Sequence, residues 1–123
     1  MPASNAQALV SVRTTTTDGT ITTGATHRTK AGYAYIVTLY AVATDGTVTQ
    51  SYVRIATFEH SAAGTLSLIG SVTSAHTAED LAAPGDCTMD ADDTNKDIRV
   101  RITGNPGSTL KWNLALDVVT TPN

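Results

Sequence analysis

Hydrophobic residues in this chain recur at every second position, in short runs rich in Val, Ile, Leu, Thr and Tyr that are punctuated by Gly, Asp, Asn and Pro. That rhythm predicts strands over residues 8–13, 20–23, 33–44, 47–59, 65–74, 87–91, 97–103 and 109–119. No 11-residue stretch fits the i, i+3, i+4, i+7 pattern of an amphipathic helix. The one helical turn predicted runs from Thr77 to Ala83, before Pro84 and Gly85 would stop it. About eight short strands joined by turns predict an all-β fold, an antiparallel β-sandwich of jelly-roll or Ig-like type. Residues 1–30 read as an extended N-terminal arm with the first strands, 31–119 as the sandwich, and 120–123 as a short tail.

The last two strands alternate most cleanly. Ile98, Val100 and Ile102 interleave with Asp97, Arg99, Arg101 and Thr103; Leu110, Trp112, Leu114, Leu116 and Val118 interleave with polar or small residues. Alternation sends one set to the core and the other to the surface. With Gly104-Asn105-Pro106-Gly107 between them, the two strands read as a hairpin. The run 33–44 differs, because both of its faces are apolar: Tyr33, Tyr35, Val37, Leu39, Ala41 and Ala43 on one, Ala34, Ile36, Tyr40 and Val42 on the other. Such a strand either has a cover over its second face or lies at a subunit contact. Asp45-Gly46 then signals a tight turn. A short repeat, Thr17-Asp18-Gly19-Thr20 and Thr44-Asp45-Gly46-Thr47, reads as reuse of one turn.

Composition narrows the class. Thr and Ala supply 40 of 123 residues, and so much β-branched Thr argues against a coiled coil. An apolar fraction of 41% and a net charge of −3 argue against disorder. Only 15% of residues are charged, against ~25% in an average soluble protein. With 8 basic and 11 acidic residues there is no cationic footprint for nucleic acid, and no basic amphipathic segment for a membrane surface. Residues 1–12 have neither the cationic start nor the apolar run of a signal peptide. Cys87 is the single cysteine, so neither a disulfide framework nor a cysteine-based zinc site is expected.

Candidate chemistry is sparse. Asp86, Asp90, Asp92, Asp93 and Asp97 crowd into one segment, yet an EF-hand count from Asp90 puts Asn95 where Gly is needed and Arg101 where an acid is needed. An irregular calcium site at Asp90, Asp92 and Asp93 is the one metal candidate, and solvated turns with Asx caps are the favoured reading. His27, His60 and His76 lack any zinc spacing, no Gly-x-Ser-x-Gly elbow accompanies the Ser, His and Asp residues, and no carboxylate pair stands out for glycoside hydrolysis. No catalytic residue and no cofactor is expected. Tyr33, Tyr35, Tyr40 and Tyr52 are the interface candidates, since Tyr suits surfaces that are apolar at one end and wet at the other. Core candidates are Ile98, Val100, Ile102, Leu110, Trp112, Leu114 and Leu116.

The segment Ala91-Asp92-Asp93-Thr94-Asn95-Lys96-Asp97-Ile98-Arg99-Val100-Arg101-Ile102-Thr103-Gly104, followed by Thr109-Leu110-Lys111-Trp112, resembles a β-sandwich module of bacteriophage virion proteins. That module occurs in capsid decoration (cement) proteins and at the tips of head and tail fibres. The match covers residues 90–118, with weaker similarity over 33–72; Asp86-Cys87-Thr88-Met89 departs from the aromatic strand usual at that point, and residues 1–30 have no counterpart. The resemblance implies a homotrimeric structural protein without catalytic residues. It would be made in the host cytoplasm and carried on the outer capsid surface, with the major capsid protein as its partner. A glycan-binding fibre tip and a free carbohydrate-binding module are the alternatives.

Overall fold

A computed structural model describes residues 6–80 and 85–123. Eight strands make two antiparallel sheets, with no helix among the described residues. The strands are β1 (Ala6–Thr16), β2 (Ile21–Arg28), β3 (Tyr33–Thr44), β4 (Thr49–His60), β5 (Leu66–Glu79), β6 (Asp86–Asp92), β7 (Asp97–Thr103) and β8 (Leu110–Pro122). The larger sheet has the order β1-β8-β3-β4-β5 and the smaller one β2-β7-β6.

The core lies between the sheets and follows the period-2 pattern. Tyr35, Val37, Leu39, Ala41 and Ala43 of β3 point inward with Leu110, Trp112, Leu114, Leu116 and Val118 of β8. Ile98, Val100 and Ile102 of β7 meet them from the smaller sheet. The Trp112 ring stacks on Tyr52 with centroids 6.2 Å apart and planes 16° apart. Ala41 is the cross-strand partner of Tyr52 and Ala43 that of Trp112, so small residues flank the two bulky rings. Trp112 Nε1 donates to Thr16 Oγ1 at 2.9 Å, tying the end of β1 to the core.

Several expectations are corrected. Residues 97–103 and 110–118 do not form a hairpin: β7 pairs with β2 and β6, whereas β8 pairs with β1 and β3. Gly104-Asn105-Pro106-Gly107 carries the chain from one sheet to the other, and the two apolar sets face each other across the core. Alternation fixes which side chains point inward; it carries no information about which neighbour a strand pairs with. The hairpin lies one step earlier, at β6–β7, turned by Asp92 and by Lys96 at a φ of 59°. The first strands expected within residues 1–30 are present but longer than predicted: β1 runs over 6–16 as an edge strand along β8, where 8–13 was expected, and β2 carries 21–28 into the smaller sheet, where 20–23 was expected. Nor is 120–123 a free tail, because β8 continues to Pro122 and Asn123 N donates to Gly32 O at 2.9 Å. Thr77, Ala78 and Glu79 extend β5 instead of starting a helix; the remainder of that predicted turn lies largely outside the described residues.

The repeated Thr-Asp-Gly-Thr is one turn used twice. Asp18 Oδ1 accepts from Thr20 N at 2.9 Å, and Asp45 Oδ1 accepts from Thr47 N at 2.8 Å. Asp45 Oδ1 also accepts from Val48 N, so the β3–β4 loop is four residues long and β4 begins at Thr49.

Candidate interaction surface

The two sheets turn different chemistry outward. The smaller one carries the charge. Arg99 grips Asp90 with two hydrogen bonds of 2.8 and 2.9 Å, and Arg28 Nε lies 2.8 Å from Asp97 Oδ1. Arg101 lies 3.9 Å from Asp90 and donates to Thr23 Oγ1 at 2.6 Å. These charges satisfy one another within the face, as cross-strand neighbours do.

The five-stranded sheet turns outward a largely uncharged face on which apolar side chains alternate with Thr, Ser and other polar ones. The registers place Gln7, Val119, Ile36, Thr57 and Ile69 in one outward row; the next holds Leu9, Asp117, Thr38, Ile55 and Thr73, and a third Ser11, Ala115, Tyr40, Val53 and His76. Leu9 is 76% exposed and Tyr40 49%, and Ile36, Val42, Ile69 and Val119 are also exposed. Among the described residues no element covers this face. The charges on it are few: Arg13 and Lys111 lie toward one end and Glu59 toward the other, while Asp117 stands in the middle row, its Oδ1 accepting from Gln7 Nε2 at 3.1 Å. Three shallow depressions mark it. The largest, 490 Å³, is bordered by Arg13, Thr15, Val42, Thr44, Lys111 and Asn113. A second of 290 Å³ lies around Tyr40, Val53, His76 and Ala115, and a third of 200 Å³ around Ile36, Thr57 and Val119.

The tyrosines divide. Tyr40 stands on the open face. Tyr35 and Tyr52, read from the sequence as interface candidates, are instead core residues at 5% and 1% exposure. Each buried hydroxyl has a partner: Tyr35 Oη accepts from Lys30 N at 2.8 Å, and Tyr52 Oη donates to Glu79 Oε2 at 2.6 Å. Tyr33 is half-buried at the start of β3, with Lys30 Nζ 5.7 Å from its ring centre. Both faces of 33–44 are apolar, so the sequence offered no ground for choosing the inward one. The rest of the surface, Leu9, Ile69 and Val119, comes from strands whose outward positions are otherwise polar or small.

The acidic residues do not converge. Asp90 is held by Arg99; Asp92 accepts from Thr94 N, Asn95 N and Asn95 Nδ2; Asp93 accepts from Leu66 N and Lys96 Nζ. The Asn95 and Lys96 side chains, with backbone N–H groups, hold the Asp92 and Asp93 carboxyls below the usual carboxylate range. No group of three or more His, Cys, Asp and Glu residues able to hold a metal occurs among the described residues. The histidines stay apart. His27 packs edge-on to Tyr35, buried His60 meets Thr29 Oγ1 at 3.0 Å, and His76 Nε2 lies 3.3 Å from Ser51 Oγ on the open face. No carboxylate bonds the His76 ring among the described residues, so this Ser–His contact stops at two members.

Two buried polar side chains on β4 were invisible as such in the sequence. Arg54 reaches across the core edge: its Nε donates to Cys87 O at 2.9 Å, one terminal nitrogen donates to His76 O at 2.7 Å, and its guanidinium lies 4.9 Å from the Tyr52 ring centre. Gln50 is fully buried, and neither of its amide atoms has a hydrogen-bond partner among the described residues. Burial pushes the neighbouring Cys87 thiol up to about 12, with the Arg54 charge pulling weakly the other way.

Comparison with known protein families returns no matching family model, and no curated protein matches. Among solved structures the chain is similar to the tailspike protein of Acinetobacter phage vB_ApiP_P1, with a TM-score of 0.36 and 14% identity, over 97% of this chain and 21% of that one. The chain thus spans about a fifth of that protein's length.

Proposed function

We propose that this chain is a structural protein of a phage virion, of the capsid decoration type, and that it works by burying the open face of its five-stranded sheet against the assembled lattice and its own copies. The observation that carries this reading is the broad apolar outer face around Ile36, Tyr40, Val42, Ile55 and Val119, opposite a sheet whose outer charges are already paired. Contiguous apolar surface of this kind marks association sites. The resemblance of residues 90–118 to the virion module supplies the setting and a grouping in threes. A protein that binds only the assembled shell stabilises it by mass action. A sugar-stacking platform would need several rings aligned on the open face, and among the described residues Tyr40 is the one aromatic ring of that kind there, with the His76 imidazole two strands away across Val53.

The test is co-sedimentation with purified expanded capsids, alongside mass spectrometry of the source virion. Binding is expected, and Tyr40→Asp or Val42→Asp should abolish it while leaving the melting curve intact. Absence of the protein from virions, or binding untouched by both substitutions, overturns the reading.

A further inference from the structure

Two sheets have four edges, and three of them are guarded. β5 departs twice from regular pairing with β4, between Val53 and Arg54 and between Ile55 and Thr57, with Gly70 at a φ of 74°. β2 is broken by a bulge between Thr23 and Ala25. β6 is only seven residues long and carries Asp86, Asp90 and Asp92. Bulges, short length and charge are the usual devices that keep an edge from pairing with another chain. β1 has none of them. Its 11 residues pair with β8 in unbroken register, it contains no Pro or Gly, and Arg13 is its one charge. Its inward Val10 and Val12 pack against the core yet remain only half-buried, and outward Leu9 is 76% exposed.

We propose that the free edge of β1 pairs with β1 of a second copy, antiparallel about a two-fold axis at Ser11, joining two larger sheets into one. Full overlap sets Ala6 against Thr16 of the other copy, Val10 against Val12, Leu9 against Arg13 and Ser11 against Ser11. Val10 and Val12 then extend the core row across the junction, and the aliphatic stem of Arg13 lies over Leu9. The two arginines end up four residues apart, about 13 Å along the strand and beyond the ~8–10 Å screening length. A register centred on Arg13 would oppose like charges and lose four residues of overlap. This contact uses an edge and leaves the open face free, so it stands independently of the virion reading.

The test is disulfide trapping combined with light scattering on the whole chain. Directly opposed antiparallel residues have Cα atoms ~4.5–5.5 Å apart, within the ~4.4–6.8 Å a disulfide spans. Ser11→Cys should therefore oxidise to a covalent dimer. Leu9→Cys should not, because in this register its two copies lie about 13 Å apart. Buried Cys87 does not interfere. The unsubstituted protein should have an even number of copies, and Ser11→Lys, which opposes two ammonium groups, should halve that number. A single copy, an odd number unchanged by Ser11→Lys, or equal cross-linking at positions 9 and 11 overturns the proposal. A Ser11→Lys protein that still sediments with capsids would separate the edge contact from the decoration role.

Discussion

Replacing Thr16 by Val tests how β1 is fastened to the core. The two side chains are nearly isosteric, so the substitution exchanges a hydroxyl for a methyl and leaves the packing volume unchanged. What it removes is the acceptor for Trp112 Nε1, a 2.9 Å bond between two buried groups at opposite ends of the chain. The indole N–H has no second acceptor among the described residues and would be stranded in the core. An unsatisfied buried donor costs about 1–3 kcal/mol. Against a total stability of about 5–15 kcal/mol that is a large fraction. With a urea m-value of about 1–3 kcal/mol/M, a loss of 2 kcal/mol moves the midpoint by about 1 M. Trp112 is the only tryptophan, so its fluorescence reports both the transition and the polarity at the altered site. The expected result is a lower midpoint with an unchanged slope. Thr16→Ser, which keeps the acceptor, should recover most of the loss. A Thr16→Val protein as stable as the parent would refute the assignment of this bond as the fastening of β1.

Three further outcomes are expected. The Cys87 thiol, buried and pushed up to about 12, should resist a thiol-reactive dye such as DTNB until the protein is denatured; prompt labelling at pH 8 would show that β6 opens locally. His27 is held below 6.5 by burial, with Asp97 partly opposing, so the unfolded chain takes up this proton at a higher pH than the folded one. Its share of stability is present above about pH 6.5 and is lost as the pH falls through the lower folded value. His27→Gln should flatten a melting-temperature profile across that window, and a profile that still falls there assigns the step to another group. At lower pH a second loss is expected as Asp45, Asp92 and Asp93, all held below 3.8 by hydrogen bonds, take up protons. Finally, Arg54→Met should cost about 2–5 kcal/mol in a denaturant titration, because it strands the carbonyls of Cys87 and His76; a neutral outcome would mean that water replaces the guanidinium.

The strands were legible because period-2 alternation is a local signal. β3 occupies the residues 33–44 that its pattern predicts, and β7 the predicted 97–103. Pairing was not legible, since the hydrogen bonds that sort β7 and β8 into different sheets are made by backbone atoms common to every residue. Polar residues on inward positions were misleading for a related reason. Arg54 interrupts the apolar set of β4 in sequence, yet it is buried because carbonyls of β5 and β6 lie within its reach. The open face was half legible. Ile36, Tyr40 and Val42 could be read as a second apolar face of one strand, but its breadth depends on Leu9, Val119, Ile55 and Ile69 arriving from four other strands. The Ala-rich composition also acquires a local cause: Ala41 and Ala43 leave room for the stacked Tyr52 and Trp112 beside them.

The position of β8 bears on how the molecule comes into being. It lies between β1 and β3, so the larger sheet has a gap through its middle until residues 110–122 have been made. During synthesis β1 waits with both edges bare and β3 with one, and the inward faces of both wait for Trp112 and its neighbours. Pairings of such long sequence separation form slowly, and unpaired edges invite association with other nascent chains. A ribosome stalled before residue 110 would therefore hold a chain with strands but no closed core. Productive folding becomes a late event, triggered by the release of the one strand that two others require.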